Sequence, residues 1–111
     1  MPMPDLAPQE LRTLVAVADE GGFSAAAVPL GTTQSAVSHA VRGIERKLGV
    51  VLFERGRYGA RPTAAGARAA AHARRVLRML DTLAAAGTGA GASTRQGSAA
   101  QWSQAGSAWG R

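Results

Sequence analysis

The residues best suited to chemistry in this chain are short polar side chains followed by arginines, between positions 34 and 46. Helical spacing places them on one face. Side-chain amides, hydroxyls and guanidinium groups are the donors and acceptors that read base edges and hold phosphates in the DNA major groove. An ordinary solvated helix face more often mixes Glu and Lys. The set consists of Gln34, Ser35, Ser38, His39, Arg42 and Arg46.

Each residue type on this face has an expected role. Gln34 is suited to pairing bidentately with adenine, and Arg42 to a guanine or a phosphate. The remaining polar residues of the face suit contacts to bases or to the backbone. Two residues at predicted helix starts complete the set: Thr33, which suits the N-cap of this helix, and Ser24, which is placed to hold a phosphate one helix earlier.

The charge is concentrated around these residues. The net charge of the 111-residue chain is +6, and residues 42–78 carry ten cations against only Glu45 and Glu54. A dense basic block indicates a polyanionic partner, although charge alone fits a solvated basic surface equally well. Neutralising about six phosphates per subunit gives an expected log K against log salt slope of roughly −5. The arginines expected to grip the flanking backbone or minor groove are Arg55, Arg57 and Arg61.

Other chemistries lack the residues that they need. The chain has no cysteine, and its two histidines, His39 and His72, fall on different predicted helices without a carboxylate cluster, so we expect no metal or other cofactor. Ser38 and His39 are adjacent and cannot face each other as nucleophile and base. No constellation supports an enzyme. No 18-residue apolar run or secretory signal is present, which predicts a soluble cytoplasmic, nucleoid-associated protein without membrane contact.

Three helices are predicted to position the polar face. Apolar spacing predicts a helix from Pro8 to Glu20, and a third helix from Gln34 to about Leu48. Between them, Ser24 is expected to cap a short second helix, with Phe23 and Val28 in contact across the cap. Pro29 is expected to bend or truncate the last turn of that helix. The apolar face of the third helix consists of Val37, Val41, Ile44 and Leu48.

A hairpin and a long helix follow. Residues 50–53 and 60–62 are predicted to pair as a hairpin with its arginines near the tip. Thr63 is expected to cap a helix over 64–86, whose a/d spacing favours pairing with a second copy. The alternative is that this stripe packs back on its own domain, and the neighbouring Arg74, Arg75 and Arg78 fit a solvated face. The predicted dimerisation residues are Ala69, Ala73, Val76, Leu80 and Leu83.

Residues 87–111 differ in composition from the rest of the chain. Sixteen of these 25 residues are Gly, Ala or Ser, and none is Leu, Ile, Val or Phe. We expect no packed structure in this segment, although it contains both Trp102 and Trp109. The Gly-rich run at 87–91 lacks the Lys-Ser/Thr of a phosphate-binding loop and is interpreted as linker.

Several ordered motifs over residues 6–86 together resemble the LysR-type transcriptional regulators. The resemblance implies a mainly α winged helix-turn-helix domain over 6–63, with the helix-turn-helix near 23–42 and the wing near 54–62. It also implies a linker helix over 64–86 that dimerises these domains. The motifs are Leu11-Arg-Thr-Leu14, Phe23-Ser-Ala-Ala-Ala27, Thr33-Gln-Ser-Ala-Val-Ser-His39, Ile44-Glu45 with Leu48-Gly49, Leu52-Phe53-Glu-Arg55 and Thr63-Ala-Ala-Gly66.

The sequence departs from the family pattern at three points. Pro29 stands where the second helix usually continues, and Pro62 replaces the usual leucine before the threonine. The third departure is in length. Family members normally continue into an effector-binding domain of about two hundred residues, so we expect no small-molecule effector site within this chain.

The expected function is a sequence-specific, DNA-binding transcription factor that binds an inverted-repeat site in double-stranded DNA as a homodimer. The alternative is an interaction module that pairs through its long helix with full-length family members. Alanine at Gln34, Ser38 and Arg42 discriminates the two, because only the first function needs these side chains.

Overall fold

The computed structural model describes residues 5–57 and 59–87. Within these ranges the chain forms four helices and one two-stranded antiparallel hairpin, and no helix is long and apolar enough to cross a membrane. The described residues divide into two units, the first ending at Leu77 and the second beginning at Arg78. The elements are α1 (Pro8–Glu20), α2 (Phe23–Leu30), α3 (Gln34–Leu48), β1 (Phe53–Gly56), β2 (Gly59–Pro62) and α4 (Ala64–Gly87).

Helices α1 and α3 begin and end where their sequence patterns predict. Pro8 occupies the first turn of α1, where its missing N–H has no helical partner to lose. The Thr33 Oγ1 accepts the Ala36 N–H at 3.1 Å, which confirms it as the N-cap of α3. The apolar faces of the two helices meet in the core of the first unit. Its largest fully buried side chains are Phe53, Ile44, Leu52, Val17, Val37 and Val41.

Helix α2 starts two residues earlier than predicted. Gly22 is its N-cap, Phe23 is already helical, and Ser24 makes no capping hydrogen bond. The predicted contact between Phe23 and Val28 is wrong, because the Val28 side chain is 79% exposed. Pro29 lies inside the last turn, and the helix ends directly after it at Leu30, as the sequence predicts.

The hairpin is shorter than the apolar run that predicts it. Strand β1 begins at Phe53, which pairs with Pro62, and Arg55 pairs with Ala60. Val50 and Val51 are exposed residues before the strand, so their prediction as strand residues is wrong. The reason is a competing hydrogen-bond acceptor. The Glu45 carboxylate on α3 accepts the N–H groups of Leu52 and Phe53, at the start of the strand.

The first turns of α4 pack closely on the same core. Thr63 caps this helix as predicted, since its Oγ1 accepts the Gly66 N–H at 3.0 Å. The Thr63 N–H donates to the Leu52 carbonyl at 2.9 Å, and a Cβ at Gly66 would overlap that carbonyl oxygen. The helix therefore crosses the chain just before β1 at a contact that only glycine permits.

The predicted dimerisation stripe of α4 divides in two. Ala73 is 3% exposed within the domain core, and Ala69 is half-buried against it, so the prediction is wrong for Ala73 and weakened for Ala69. Small side chains let the first half of α4 approach the domain closely. For this half of the stripe, the structure favours the alternative that it packs on its own domain. Val76, Leu80 and Leu83 are exposed, as is Met79. The predicted unstructured segment 87–111, with its two tryptophans, lies outside the described residues except for Gly87.

Candidate nucleic-acid interface

Helix α3 presents the polar face that its sequence predicts. Gln34, Ser35, His39 and Arg42 are exposed, and Ser38 is half-buried. The opposite face is filled by buried apolar residues, so this helix has only one orientation available on the domain. Because the Thr33 hydroxyl oxygen accepts a backbone N–H as the N-cap, its structural role is established and its contact with DNA stays a prediction.

A cleft runs between the start of α2, the polar face of α3 and the wing, which is the hairpin β1–β2. Its volume is about 550 Å³. Six of its lining residues belong to the predicted DNA-contacting set. Four of them lie on α2 or α3, and two lie in the wing. Those six residues are Ser24, Gln34, Ser38, Arg42, Arg55 and Arg57.

Arg55 reaches this cleft from the face of β1 that also carries Phe53. Its guanidinium carbon lies 4.9 Å from the centre of the Phe23 ring, which is the geometry of a cation–π contact. Its Nη2 is 3.7 Å from Oε1 of Glu45 on α3. Phe23 in turn packs edge-on against the buried Phe53 ring, with ring centres 6.4 Å apart. The side chain is therefore held between α2 and α3.

Glu45 joins α3 to the wing. Its Oε2 accepts the Leu52 N–H at 2.8 Å and the Phe53 N–H at 3.2 Å, while its Oε1 faces Arg55. Only 14% of its side chain is exposed. Sequence reasoning did not assign a role to Glu45 or a cation-binding role to Phe23. The available signal was that Glu45 is one of only two carboxylates in a segment of ten cations.

The three wing arginines lie around two clefts, and Arg61 lines only the second of them. Arg55 and Arg57 line the cleft, but Arg61 does not. Arg61 pairs in register with Glu54, and alternation along the strands places both on the opposite face from Arg55. All three wing arginines line a second cleft of about 300 Å³ on the wing, together with Glu54. The structure thus groups Arg61 with Arg55 and Arg57 on the wing, but not with the polar side chains of α3.

Two cations of the basic block form ion pairs with acidic residues of α1, which lie outside the cleft. Lys47 donates to Glu10 Oε2 at 2.8 Å, and Arg74 pairs with Asp19. The hydrogen bond from Lys47, helped by the Ala7 N–H, holds the pKa of Glu10 below its usual value. These pairs reduce the positive charge beside α1, whereas Arg42 and Arg46 stay exposed on the polar face of α3.

No set of three His, Cys, Asp or Glu side chains in residues 5–57 and 59–87 converges in the way a metal ion would need. The functional groups brought together at the cleft are instead amide, hydroxyl and guanidinium groups. This donor-rich arrangement suits an anionic, hydrogen-bonding partner rather than a metal.

Comparison with known families decides what this architecture is. Residues 8–67 match the family of bacterial regulatory helix-turn-helix proteins named lysR, and this match covers more than half of the chain. The chain belongs to the LysR family. The described residues are those of a winged helix-turn-helix followed by a long helix, which confirms the predicted fold class.

Among LysR-family relatives, the chain is 50% identical over 74 residues to the probable HTH-type transcriptional regulator LrrA of Synechococcus elongatus. That match covers 67% of this chain and 25% of the relative, so the chain spans about a quarter of its length. The family and this relative are transcriptional regulators rather than enzymes.

Two solved structures of DNA-binding domains in complex with DNA share the fold. The CbnR domain is 34% identical, with a TM-score of 0.69 over 71% of this chain and 91% of that one. The BenM domain bound to benA site 1 is 30% identical, with a TM-score of 0.69 over 72% of this chain and 93% of that one.

Proposed function

We propose that this chain is a sequence-specific DNA-binding module that regulates transcription, with α3 as the recognition helix in the major groove. The observation that carries the proposal is that α3, the start of α2 and the wing all direct polar or cationic side chains onto a shared cleft. The CbnR and BenM domains, which share this fold, are both structures with DNA.

The residues divide into base readers and phosphate contacts. Gln34 and Ser38 line the cleft near the N-terminal half of α3, the part that enters the groove in helix-turn-helix proteins, and they read base edges with His39 and Arg42. Ser24, Thr33, Ser35, Arg55 and Arg57 hold the phosphate backbone around them. Arg61 lines the wing cleft with Arg55 and Arg57 but not the cleft at α3, so we assign it a contact to the flanking backbone or minor groove.

The exposed half of the α4 stripe supports a dimer. Val76 is 44% exposed and Leu83 is 65% exposed, and Met79 and Leu80 add to the same apolar stripe. Such a stripe at heptad spacing is stabilised by a facing helix. A second copy supplies that helix, and two-fold symmetry then demands an inverted repeat in the DNA. A chromosomal ligand places the protein in the cytoplasm at the nucleoid.

A second candidate function uses only α4. In it, the exposed stripe pairs with α4 of full-length family members and withdraws them from DNA. The same residues, Val76, Leu80 and Leu83, favour it. Substitutions in α3 distinguish the two functions. Alanine at Gln34, Ser38 and Arg42 abolishes regulation by direct DNA binding and leaves regulation by helix pairing intact.

The proposal is tested by selecting bound sequences from a randomised duplex library at two salt concentrations. We expect an enriched inverted repeat with half-sites at least one helical turn apart, and weaker binding at higher salt. Binding that is salt-sensitive but enriches no sequence would reduce the protein to a non-specific basic module and overturn the proposal.

A further inference from the structure

We infer that Glu45 is a positioning residue for DNA binding, which acts by holding Arg55 and the base of the wing in the geometry that meets the phosphate backbone. The inference rests on the proposed function and adds to it a residue whose charge is the wrong sign to contact DNA. It explains why a carboxylate stands on the recognition helix within the basic block.

The first step is that one carboxylate holds two parts of the wing. Glu45 Oε2 accepts the N–H groups of Leu52 and Phe53, and Oε1 faces the Arg55 guanidinium at 3.7 Å. Both oxygens are therefore used, and only 14% of the side chain is exposed. The wing is consequently fixed to α3 by side-chain contacts as well as by its own strand pairing.

The second step concerns the cation itself. The Arg55 side chain, 31% exposed, is held between Glu45 and the ring of Phe23. A guanidinium that is already confined loses less conformational freedom when a phosphate arrives, so more of its interaction energy appears as affinity. The remaining exposed part faces the cleft that also holds Gln34 and Ser38.

The third step separates positioning from simple charge. If Glu45 acted on DNA only through its negative charge, removing that charge would tighten binding, because repulsion from the phosphates would fall. If Glu45 positions Arg55, removing the charge weakens binding instead. The sign of the effect therefore distinguishes the two roles.

The test is a double-mutant cycle on the full chain with E45Q and R55A, using the duplex selected from the library and a scrambled duplex as probes. Glutamine retains an oxygen that accepts the Leu52 and Phe53 N–H groups but faces Arg55 without a charge. We expect R55A to weaken binding about tenfold in the otherwise unchanged protein, the size of one charge-assisted hydrogen bond. In the E45Q background we expect the same substitution to cost less than about threefold.

The matched control is E54Q. It makes the same charge change on the opposite face of β1, and we expect it to tighten binding slightly and to leave the R55A effect at about tenfold. Tighter binding of E45Q, or equal R55A effects in both backgrounds, would overturn the inference while leaving sequence-specific binding intact. Failure of the unchanged chain to select any sequence would overturn the proposed function, and the inference with it.

A second variant keeps the test decisive if E45Q does not fold. F23L removes the ring face beneath Arg55 without touching the Glu45 hydrogen bonds to the backbone. We expect R55A to lose most of its effect in this background as well. A full tenfold effect of R55A in folded F23L would contradict the confinement of Arg55 on which the inference depends.

Discussion

Gln34 and Ser38 are the side chains at which base preference should reside. Both line the cleft and neither is charged, so their contribution to non-specific attraction is small. We expect Gln34→Ala or Ser38→Ala to change the discrimination between the selected site and single-base variants by about 1–3 kcal/mol per lost contact. Competition binding against a panel of variant duplexes measures this.

Arg55→Ala is the matched comparison for these two substitutions. It should weaken selected and scrambled duplexes alike and flatten the salt slope by about one. An equal loss on every duplex from all three substitutions would contradict the division into base readers and phosphate contacts.

Glu10 offers a pH-dependent test of the α1–α3 contact. Its pKa is lowered in the folded protein by the Lys47 hydrogen bond and the Ala7 N–H, so its stabilisation is fully present above the pKa of the unfolded state. That stabilisation is lost as pH falls through the lower, folded-state pKa. We expect Glu10→Gln to reduce the free energy of unfolding by about 0.5 kcal/mol at pH 7, the scale of an ion pair at the protein surface.

Urea unfolding at pH 7 and at pH 3 checks this prediction. The difference between Glu10→Gln and the unchanged chain should shrink at the lower pH, whereas Glu20→Gln at the other end of α1 serves as a control with little effect at either pH. A Glu10→Gln deficit that stays constant with pH would assign the effect to packing rather than to charge.

Sequence reasoning succeeds at single residues when their role is local. Thr33 and Thr63 were predictable as helix caps because an N-cap is decided within three residues of chain. Glu45 was not, since its partners lie seven to ten residues further on and meet it only after the wing has packed on α3. The prediction of Ser24 as an N-cap was wrong. Serine is a good capping residue, but Gly22 occupies the N-cap position of α2.

At the scale of elements, two helical glycines should respond to alanine in opposite directions. A Cβ at Gly66 in α4 would overlap the Leu52 carbonyl oxygen, so Gly66→Ala should destabilise the domain by about 1–3 kcal/mol. At Gly43 in α3 the nearest atom is the Arg46 guanidinium at 3.8 Å, and Gly43→Ala should stabilise by about 0.5–1 kcal/mol. Denaturant unfolding of both variants measures the contrast, and the same sign for both would contradict the close α4 crossing.

The helices were more predictable than the hairpin for a physical reason. In α1 and α3, apolar spacing and the closing glycines agree, and both helices have the bounds that this agreement predicts. In the run from Val50 to Phe53, β propensity alone favours a strand, but Glu45 takes the N–H groups at its end. Tertiary competition of this kind is absent from local sequence.

At the scale of the whole molecule, self-association through α4 is the property to measure. Leu80→Glu combined with Leu83→Glu places charge on the exposed apolar stripe, and we expect it to convert a dimer to a monomer in sedimentation experiments. Ala71→Glu is the matched control, because helical spacing puts this exposed residue on another face of α4. Dimers that persist in the double variant would contradict pairing through this stripe.

Loss of the dimer should also change DNA binding in a defined way. A monomer retains one recognition helix, so it should still prefer a half-site but lose the advantage of a correctly spaced inverted repeat. Unchanged discrimination between correct and altered spacing would show that α4 does not set the geometry of the pair.

The contact between β2 and the turn before α2 limits where the wing can change length. The Ala60 N–H donates to the Gly21 carbonyl at 3.0 Å, and a Cβ at Gly59 would overlap that same oxygen. Residues added between Gly56 and Gly59 leave this contact and the strand register in place. One residue added between Leu52 and Phe53 would exchange the two faces of β1, turning Glu54 toward the cleft and Arg55 away from it. Chimaeras that transplant wings of different length should therefore be joined at the tip.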